Sequence, residues 1–341
     1  MYTSKILVTL GPALNSVKDI EDTIYNGAKG FRLHLGSIQR NNVGYFMNVL
    51  QAKANLGRSD IKILLDFPGA RPRTIKETQD MIYNLGDKVR FVDYSNLSFN
   101  NNTSVIRLYD FSRYIYNMRL GDVLEFRGGK LVFSIVEIDL VNEYIDTITI
   151  KAEKKLKALN VGTLKHSYVD YYPLSTYDIE LIKEMKRNQL IPDYVALSFC
   201  TCTEQIKLFR EIVNDEFGSN VKCFAKIENG KGLWCSKEIV SYVDGIFIAR
   251  ADISNNIPFM HWANVQEQLV NIAHNHKKEL CIGSGFLSYF SKNCVINRGE
   301  IIDVNIALEN RADWIMLSGE TGNSPYSIET IKVLNSIINP E

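Results

Sequence analysis

The chain lacks an excess of either charge and lacks any long uninterrupted apolar run. Its 39 basic and 39 acidic residues balance over 341 positions, so nothing favours a nucleic-acid or membrane-surface partner. No stretch approaches the length of a membrane span, and the first residues show no charged-then-apolar signal segment. We therefore expect a cytoplasmic protein that acts on small molecules.

The chain also lacks paired cysteines. Its six cysteines are scattered, and Cys200 and Cys202 are separated by a single residue, which is a poor spacing for a zinc site. We expect all six to be buried or partly buried thiols in a reducing compartment.

Eight short apolar runs are present, with the near-continuous apolar character of parallel strands covered on both faces. They are Ile6–Leu10, Phe31–Leu35, Ile63–Asp66, Tyr194–Phe199, Cys223–Ile227, Gly245–Ala249, Leu280–Gly283 and Trp314–Leu317. Helical periodicity separates them, for example in Val17–Ala28 and Thr176–Arg187. This alternation predicts an α/β fold, a (β/α)₈ (TIM) barrel formed by residues 1–74 and 166–341.

One connection breaks the alternation. Residues 75–165 show short runs of period two instead of helical periodicity, at Lys88–Val92, Val123–Phe126, Leu131–Ile138 and Thr147–Lys151. A Gly-Asp pair precedes two of these runs, as expected of turns. The pattern predicts a small all-β domain, a β-barrel inserted after the third barrel strand, which would act as a lid over the active site.

Every predicted barrel strand has a polar or turn residue at or just after its carboxyl end. The set is Thr9, Gly11, Arg32, His34, Asp66, Ser198, Lys226, Glu228, Arg250, Asp252, Ser284, Ser318 and Glu320. Active sites of this barrel form at the carboxyl ends of the strands, so these residues are the candidates for a site.

Two segments, FAKIEN and FIARADI, carry much of this charge. Lys226 and Glu228 are two residues apart, as are Arg250 and Asp252, so each pair faces one side if the strand continues. Two carboxylates can hold one hard cation, Mg²⁺ or Mn²⁺, with substrate oxygens completing its coordination. The simpler alternative is two surface ion pairs, but two segments of matching pattern favour a site for an anionic oxygen substrate.

The motifs KILVTLGPA, FRLHL, LLDFPGARPRT, AKIEN, IARADI and IMLSGET occur in this order with a β insertion after the third. In this they resemble the pyruvate kinase family, over residues 5 to about 338. The resemblance implies the same barrel and chemistry on a pyruvate or phosphoenolpyruvate enolate. The family's usual C-terminal regulatory domain has no counterpart in this sequence, so sugar-phosphate activation is not expected.

The resemblance also assigns roles to single residues. Glu228 and Asp252 match the family's ligands for the divalent ion. Lys226 matches the lysine that stabilises charge on the transferring phosphoryl group and the enolate oxygen. Arg32 and Arg73 match arginines near the phosphoryl group and the substrate.

Further assignments follow from the same motifs. Asp66 matches the acidic residue that opens the third motif, and Ser284 stands where the family has a threonine near the enolate carbon. The segment from Arg250, with the backbone of Ala251 and Asp252, would hold the substrate carboxylate at a helix start.

The chain departs from the family pattern where a monovalent cation is usually bound. His34, Gly36 and Ser37 replace asparagine, serine and histidine, and Phe67 replaces a polar residue. Arg71 stands where glutamate is common and where K⁺-independent members have lysine. The resemblance therefore implies that K⁺ is not required, because a fixed side-chain cation takes its place.

The chain also departs from the family pattern where the family binds the nucleotide. Asn323 lies near the place of an expected lysine, and Arg127-Gly128-Gly129 replaces the usual Asp-Asp-Gly. Phosphoryl transfer depends on cations positioned along the phosphates, so these losses weaken nucleotide binding. Whether ADP or ATP binds stays open, as does assembly into a homo-oligomer through the barrel helices.

Three hypotheses remain. The first is a kinase transferring a phosphoryl group between phosphoenolpyruvate and ADP, with lid lysines replacing lost phosphate contacts (Lys151, Lys154, Lys155 or Lys157). The second is a nucleotide-free aldolase, lyase or decarboxylase acting on a 2-oxo acid through a metal-stabilised enolate. The third is a non-catalytic relative that binds a ligand or partner, against which the retained carboxylates, lysine and Ser284 hydroxyl argue.

Overall fold

The computed structural model describes residues 4–36, 41–69, 71–99, 104–165 and 172–340. The chain divides into two compact units. The first consists of residues 1–35, 39–67 and 182–341, and the second of residues 36–38 and 68–181.

The strands of the described residues are numbered β1 to β15 in chain order. They are Lys5–Thr9, Ala28–His34, Lys62–Phe67, Arg73–Thr74, Lys88–Asp93, Val105–Tyr109, Val123–Phe126, Leu131–Asp139, Tyr144–Ala152, Gly162–Lys165, Tyr194–Leu197, Lys222–Lys226, Gly245–Ala249, Glu279–Gly283 and Trp314–Leu317. The helices, α1 to α12, are Val17–Tyr25, Asn42–Asn55, Thr176–Arg187, Thr203–Phe217, Gly230–Trp234, Ser236–Ile239, Arg250–Asn256, Trp262–Asn275, Phe290–Asn293, Arg298–Glu309, Gly319–Gly322 and Ser327–Ile338.

The predicted barrel is confirmed. Eight parallel strands close in the order β1, β15, β14, β13, β12, β11, β3 and β2. Each of the eight predicted apolar runs forms one of these strands, because a strand covered by helices on one side and by the barrel interior on the other is apolar on both faces.

One predicted boundary is wrong. The helix predicted over Val17–Ala28 ends at Tyr25, and Ala28 already begins β2. Gly27, with φ at 109°, ends the helix before that point.

The barrel interior changes from apolar to charged along its strands. Its closed end is filled by large side chains such as Leu64, Phe224, Phe247 and Trp314. Two residues further along β3 and β12 the same inward face carries Asp66 and Lys226, both buried. The apolar layer therefore forms the floor of a charged cavity at the carboxyl ends of the strands.

The second unit contains a seven-stranded sheet in the order β10, β7, β8, β9, β5, β6 and β4. An isolated bridge joins Arg73 of β4 to Val161, directly before β10. The core of the second unit is aromatic: the Phe91 and Phe133 rings pack edge to face, with their centroids 5.2 Å apart. The four runs of period two noted in the sequence are all strands here, joined by β4, β6 and β10.

No helix in the described part of the chain is long and apolar enough to cross a membrane.

Candidate active site

Four charged side chains converge inside the carboxyl end of the barrel. The Arg32 Nε donates to the Asp66 Oδ2 at 2.7 Å. The Lys226 Nζ lies 3.2 Å from the Asp66 Oδ1 and 3.1 Å from the Glu228 Oε1. All four side chains are at most 7% exposed. Two cations thus balance two anions, which is the condition under which charges are tolerated away from water, and Lys226 and Glu228 do not form a surface ion pair.

Hydroxyl groups complete the cluster. The Lys226 Nζ donates to the Ser198 Oγ at 2.7 Å, and the Arg32 Nη1 donates to the Thr9 Oγ1 at 3.1 Å. Ser318 accepts a longer hydrogen bond from Arg32, at 3.4 Å. These contacts fix the directions of the ammonium and guanidinium groups without adding charge.

A strained turn orients Glu228. Phe199 has a positive φ of 55°, a conformation that is uncommon for a residue with a large side chain. In this conformation its backbone N–H donates to the Glu228 Oε2 at 2.8 Å. The sequence identified Ser198 only as a strand end, and no local signal indicated that the next peptide would hold the carboxylate.

The protonation states of the cluster are fixed by its mutual charges. Burial alone would raise the pKa of Asp66, but the charges of Lys226, Arg32 and His34 hold that pKa below its usual range. Burial alone would lower the pKa of Lys226, but Asp66, Glu228 and Asp252 hold that pKa above its usual value. Lys226 is therefore a permanent ammonium near neutral pH, suited to stabilising negative charge rather than to acting as a general base.

The second carboxylate of the predicted metal pair lies on α7. The prediction that Arg250 and Asp252 face the same side of a strand is therefore wrong: β13 ends at Ala249, and residues two apart in a helix lie about 200° apart around its axis. Asp252 is partly exposed, and its charge acts on Lys226. Within the described ranges, no three His, Cys, Asp or Glu side chains form a group that could hold a metal ion. The donor set of Glu228, which is buried, and Asp252, which is partly exposed, nevertheless fits Mg²⁺ or Mn²⁺, because these ions prefer carboxylate oxygens and commonly bind through one or two carboxylates plus substrate oxygens.

Arg250 and Ser284 meet next to this pair. The Arg250 guanidinium donates to both carboxylate oxygens of Asp303, at 2.6 and 2.9 Å, and its Nε donates to the Ser284 carbonyl at 2.9 Å. It also lies 3.8 Å from the centroid of the Phe286 ring. Ser284 itself has a positive φ of 72°. Arg250 thus positions the loop after β14 by holding the Ser284 carbonyl.

Glu320 ties the two neighbouring strand ends together. Its Oε1 accepts from the Gly285 N–H at 3.0 Å, and its Oε2 accepts from the Ser318 N–H at 2.6 Å. Glu320 is buried, and its carboxylate links the loops that follow β14 and β15. The sequence had indicated only that this residue is polar.

Arg71 and Arg73 belong to the second unit and contact other residues of that unit. Arg73 is 1% exposed and lies 3.6 Å from Asp178 and 4.7 Å from the centroid of the Tyr177 ring. Burial lowers the pKa of Arg73 and raises that of Asp178. Arg71 donates to the Pro68 carbonyl at 3.0 Å.

Four residues depart from the family pattern where a monovalent cation is usually bound, and three of them are among the described residues. Phe67 is fully buried and packs edge to face against Phe209 of α4, so it points away from the barrel interior. His34 is partly exposed and pairs in register with Asp66. Gly36 ends a described segment, and Ser37 lies outside the described residues.

The cysteines are free thiols, but one prediction about them is wrong. Cys294 is exposed rather than buried or partly buried. It follows the short helix α9 in a left-handed conformation, with φ at 54°, and such a turn lies at the surface. The other five are buried or partly buried, and burial raises the pKa of Cys223 to about 12.

Comparison with known proteins gives a consistent result. The family model described as pyruvate kinase, barrel domain, matches residues 1–331. A pyruvate kinase from Buchnera aphidicola is 26% identical over 337 residues, covering 96% of this chain and 68% of the relative. A pyruvate kinase from Methanocaldococcus jannaschii is 26% identical over 339 residues, covering 99% of this chain and 69% of the relative. One from Mycoplasma pneumoniae is 25% identical, covering 98% and 70%.

Proposed function

The chain belongs to the pyruvate kinase family, and we propose that it transfers a phosphoryl group between phosphoenolpyruvate and ADP with the help of Mg²⁺ or Mn²⁺. The observation that carries this proposal is the buried, charge-balanced cluster of Arg32, Asp66, Lys226 and Glu228. Its two cations are held in place before any substrate arrives, which is how preorganised groups stabilise a developing anion.

In the proposed reaction, Lys226 and Arg32 face the negative charge that develops on the phosphoryl oxygens and the enolate oxygen. Asp66 orients both cations, because it binds each of them directly. Glu228 and Asp252 would hold the divalent ion, which when bound supplies Lewis-acid charge neutralisation. The protein's part is then mainly positioning and electrostatics, as is usual for phosphoryl transfer.

The remaining roles follow from the family resemblance. The backbone of Ala251 and Asp252 would bind the substrate carboxylate, in a segment whose start is anchored by Arg250. The Ser284 hydroxyl would lie near the enolate carbon and take part in its protonation. Arg73 would contact the phosphoryl group, Arg71 would replace a monovalent cation, and the second unit would act as a lid.

A nucleotide-free reaction on a 2-oxo acid is the second candidate. It is favoured by the departures on the nucleotide side, where Asn323 and the Arg127–Gly129 segment differ from the family pattern. An aldolase, lyase or decarboxylase would need the same ammonium and carboxylates to hold an enolate. Both candidates fit a cytoplasmic enzyme, and a homo-oligomer remains an expectation for either.

Titration calorimetry separates the two. We expect the Mg²⁺-loaded protein to bind oxalate, an analogue of the pyruvate enolate, and then ADP. Binding of oxalate without ADP or ATP would favour the nucleotide-free reaction instead. Absence of both would overturn the assignment to enolate chemistry.

A pair of lysine variants provides the control. Lys226→Met should lose oxalate binding, because it removes the buried ammonium. Lys222→Met, at the other end of β12 and 49% exposed, should keep it.

A further inference from the structure

Two partly exposed cysteines lie on the connections that follow two neighbouring barrel strands. Cys202 directly precedes α4, in the connection after β11, and Cys235 directly precedes α6, in the connection after β12. Both are free thiols. The proposed reaction uses neither of them.

The fold brings these two connections together. Helices α4 and α6 pack against each other, so Cys202 and Cys235 stand at the starts of neighbouring helices. The backbone of α5, which leads to Cys235, also approaches the connection after β11 closely. A Cβ atom at Gly232 would lie 2.3 Å from the Cys200 carbonyl oxygen, so this approach requires a glycine.

The two thiols interact with each other and with a common neighbour. Burial is the main cause that raises the pKa of Cys235, and the charge of Cys202 raises it further. The Glu204 carboxylate, in the first turn of α4, interacts with both thiols. Cys202 and Cys235 therefore share one small region at the N-terminal ends of α4 and α6.

The other cysteines, all of which are among the described residues, offer no such arrangement. Three of them are fully buried, namely Cys200, Cys223 and Cys281. Cys294 is exposed but lies after α9, in the connection between β14 and β15. Cys202 and Cys235 are thus the neighbouring pair that a reagent in water can reach.

We propose that Cys202 and Cys235 form a reversible disulfide that regulates the active site. The disulfide stands independently of the function proposed above, whereas the regulation rests on it. In the oxidation, one protein thiolate attacks a small-molecule disulfide such as oxidised glutathione, which forms a mixed disulfide and releases one glutathione thiol. The second protein thiolate attacks the mixed disulfide, forms the protein S–S bond and releases the second glutathione thiol. The protein thus loses two electrons and two protons, and the glutathione disulfide gains them.

The disulfide acts on the active site through the hold on Glu228. The backbone N–H of Phe199, three residues before Cys202, donates to the Glu228 carboxylate at 2.8 Å. A disulfide requires its two Cα atoms to lie about 4.4–6.8 Å apart, whereas the axes of packed helices lie about 8–10 Å apart. Closing the bond therefore draws the connection after β11 towards α6 and displaces Phe199 from Glu228.

The bond is tested by treating the folded protein with oxidised glutathione, counting free thiols and mapping peptides by mass spectrometry without reduction. We expect two of the six thiols to be lost, a peptide that links Cys202 to Cys235 to appear, and dithiothreitol to restore both thiols. Retention of all six thiols, or a link that joins two chains, would overturn the proposal.

Serine variants locate the bond. Cys235→Ser should leave Cys202 carrying one glutathione, because no second thiol is present to displace it. Cys294→Ser, which removes the exposed cysteine after α9, should form the same link as the wild type. Loss of two thiols to an internal link in Cys202→Ser or Cys235→Ser would contradict the pairing.

Regulation is measured as the affinity of the Mg²⁺-loaded protein for oxalate and as the KM for phosphoenolpyruvate. Oxidation should weaken oxalate binding and raise this KM at least threefold in the wild type, and dithiothreitol should reverse both changes. The double variant Cys202→Ser/Cys235→Ser should not respond to the oxidant.

The outcomes separate the claims. Unchanged values in the oxidised wild type would overturn the regulatory role. A protein that forms the link but shows neither oxalate binding nor turnover when reduced would refute the proposed function and not the disulfide. Turnover without formation of the link would do the reverse.

Discussion

Replacing Asp252 by asparagine is expected to lower kcat/KM on the order of a thousandfold, the scale seen when a group that stabilises transition-state charge is lost. The amide keeps the shape of the side chain but removes the charge that would help to hold the divalent ion. Since Asp252 is partly exposed, its replacement should leave the melting temperature nearly unchanged. Steady-state kinetics at saturating Mg²⁺ and thermal unfolding measure the two effects.

Glu228→Gln is the companion substitution. We expect the same loss of turnover together with a lower melting temperature, because Glu228 is buried and neutralises Lys226. Glu309→Gln, on the exposed face of α10, should change neither quantity. Full activity in both Asp252→Asn and Glu228→Gln would refute the metal assignment.

Replacing Asp66 by asparagine is expected to reduce the free energy of unfolding by about 3–5 kcal/mol at pH 7, the cost typical of breaking a buried ion pair. In the variant, Glu228 would be the one buried carboxylate left to balance the two cations Arg32 and Lys226. The partly exposed Asp252 would compensate for the lost charge only in part. Urea unfolding of wild type and variant measures the difference. Asp60→Asn, which removes an ion pair that is half exposed, should cost little.

The difference in the free energy of unfolding between wild type and Asp66→Asn should depend on pH. The folded pKa of Asp66 lies below its ordinary value of 3.8, so its contribution is complete above that value and is lost as the pH falls through the folded pKa. The stability difference should therefore be full at pH 7 and shrink in strong acid. Lys226, whose pKa is raised above 10.5, contributes below that pH and loses its contribution as the pH rises through its folded pKa. Equal stabilities of wild type and Asp66→Asn at pH 7 would contradict this account.

The barrel and the charged half of its site could be predicted because both depend on local patterns. Strands buried on two faces give continuous apolar runs, and a charged residue near the end of such a run, such as Asp66 or Lys226, marks the end of a strand. The turn at Phe199 could not be predicted, since its positive φ accompanies a hydrogen bond to Glu228, a residue distant in the chain. The hydrogen bonds by which Glu320 links the loops after β14 and β15 depend on how these loops pack together. No spacing in the sequence indicates that packing.

The family pattern alone did not explain how a phenylalanine can stand at position 67. Phe67 stands where a polar group is usual, and the structure gives the physical reason for its tolerance: its ring packs on Phe209 outside the barrel interior. In the second unit, β4 has only two residues, too few for an alternating pattern to be recognised. The burial of Arg73 beside Asp178 joins residues distant in the chain, a contact that only the fold creates.

The central claim is tested most directly by following phosphorus resonances while the Mg²⁺-loaded protein is incubated with phosphoenolpyruvate and ADP. The account predicts that the phosphoenolpyruvate signal declines as ATP forms in equal amount, and that Lys226→Met abolishes the conversion. A folded wild-type protein that binds oxalate and forms no ATP would contradict it.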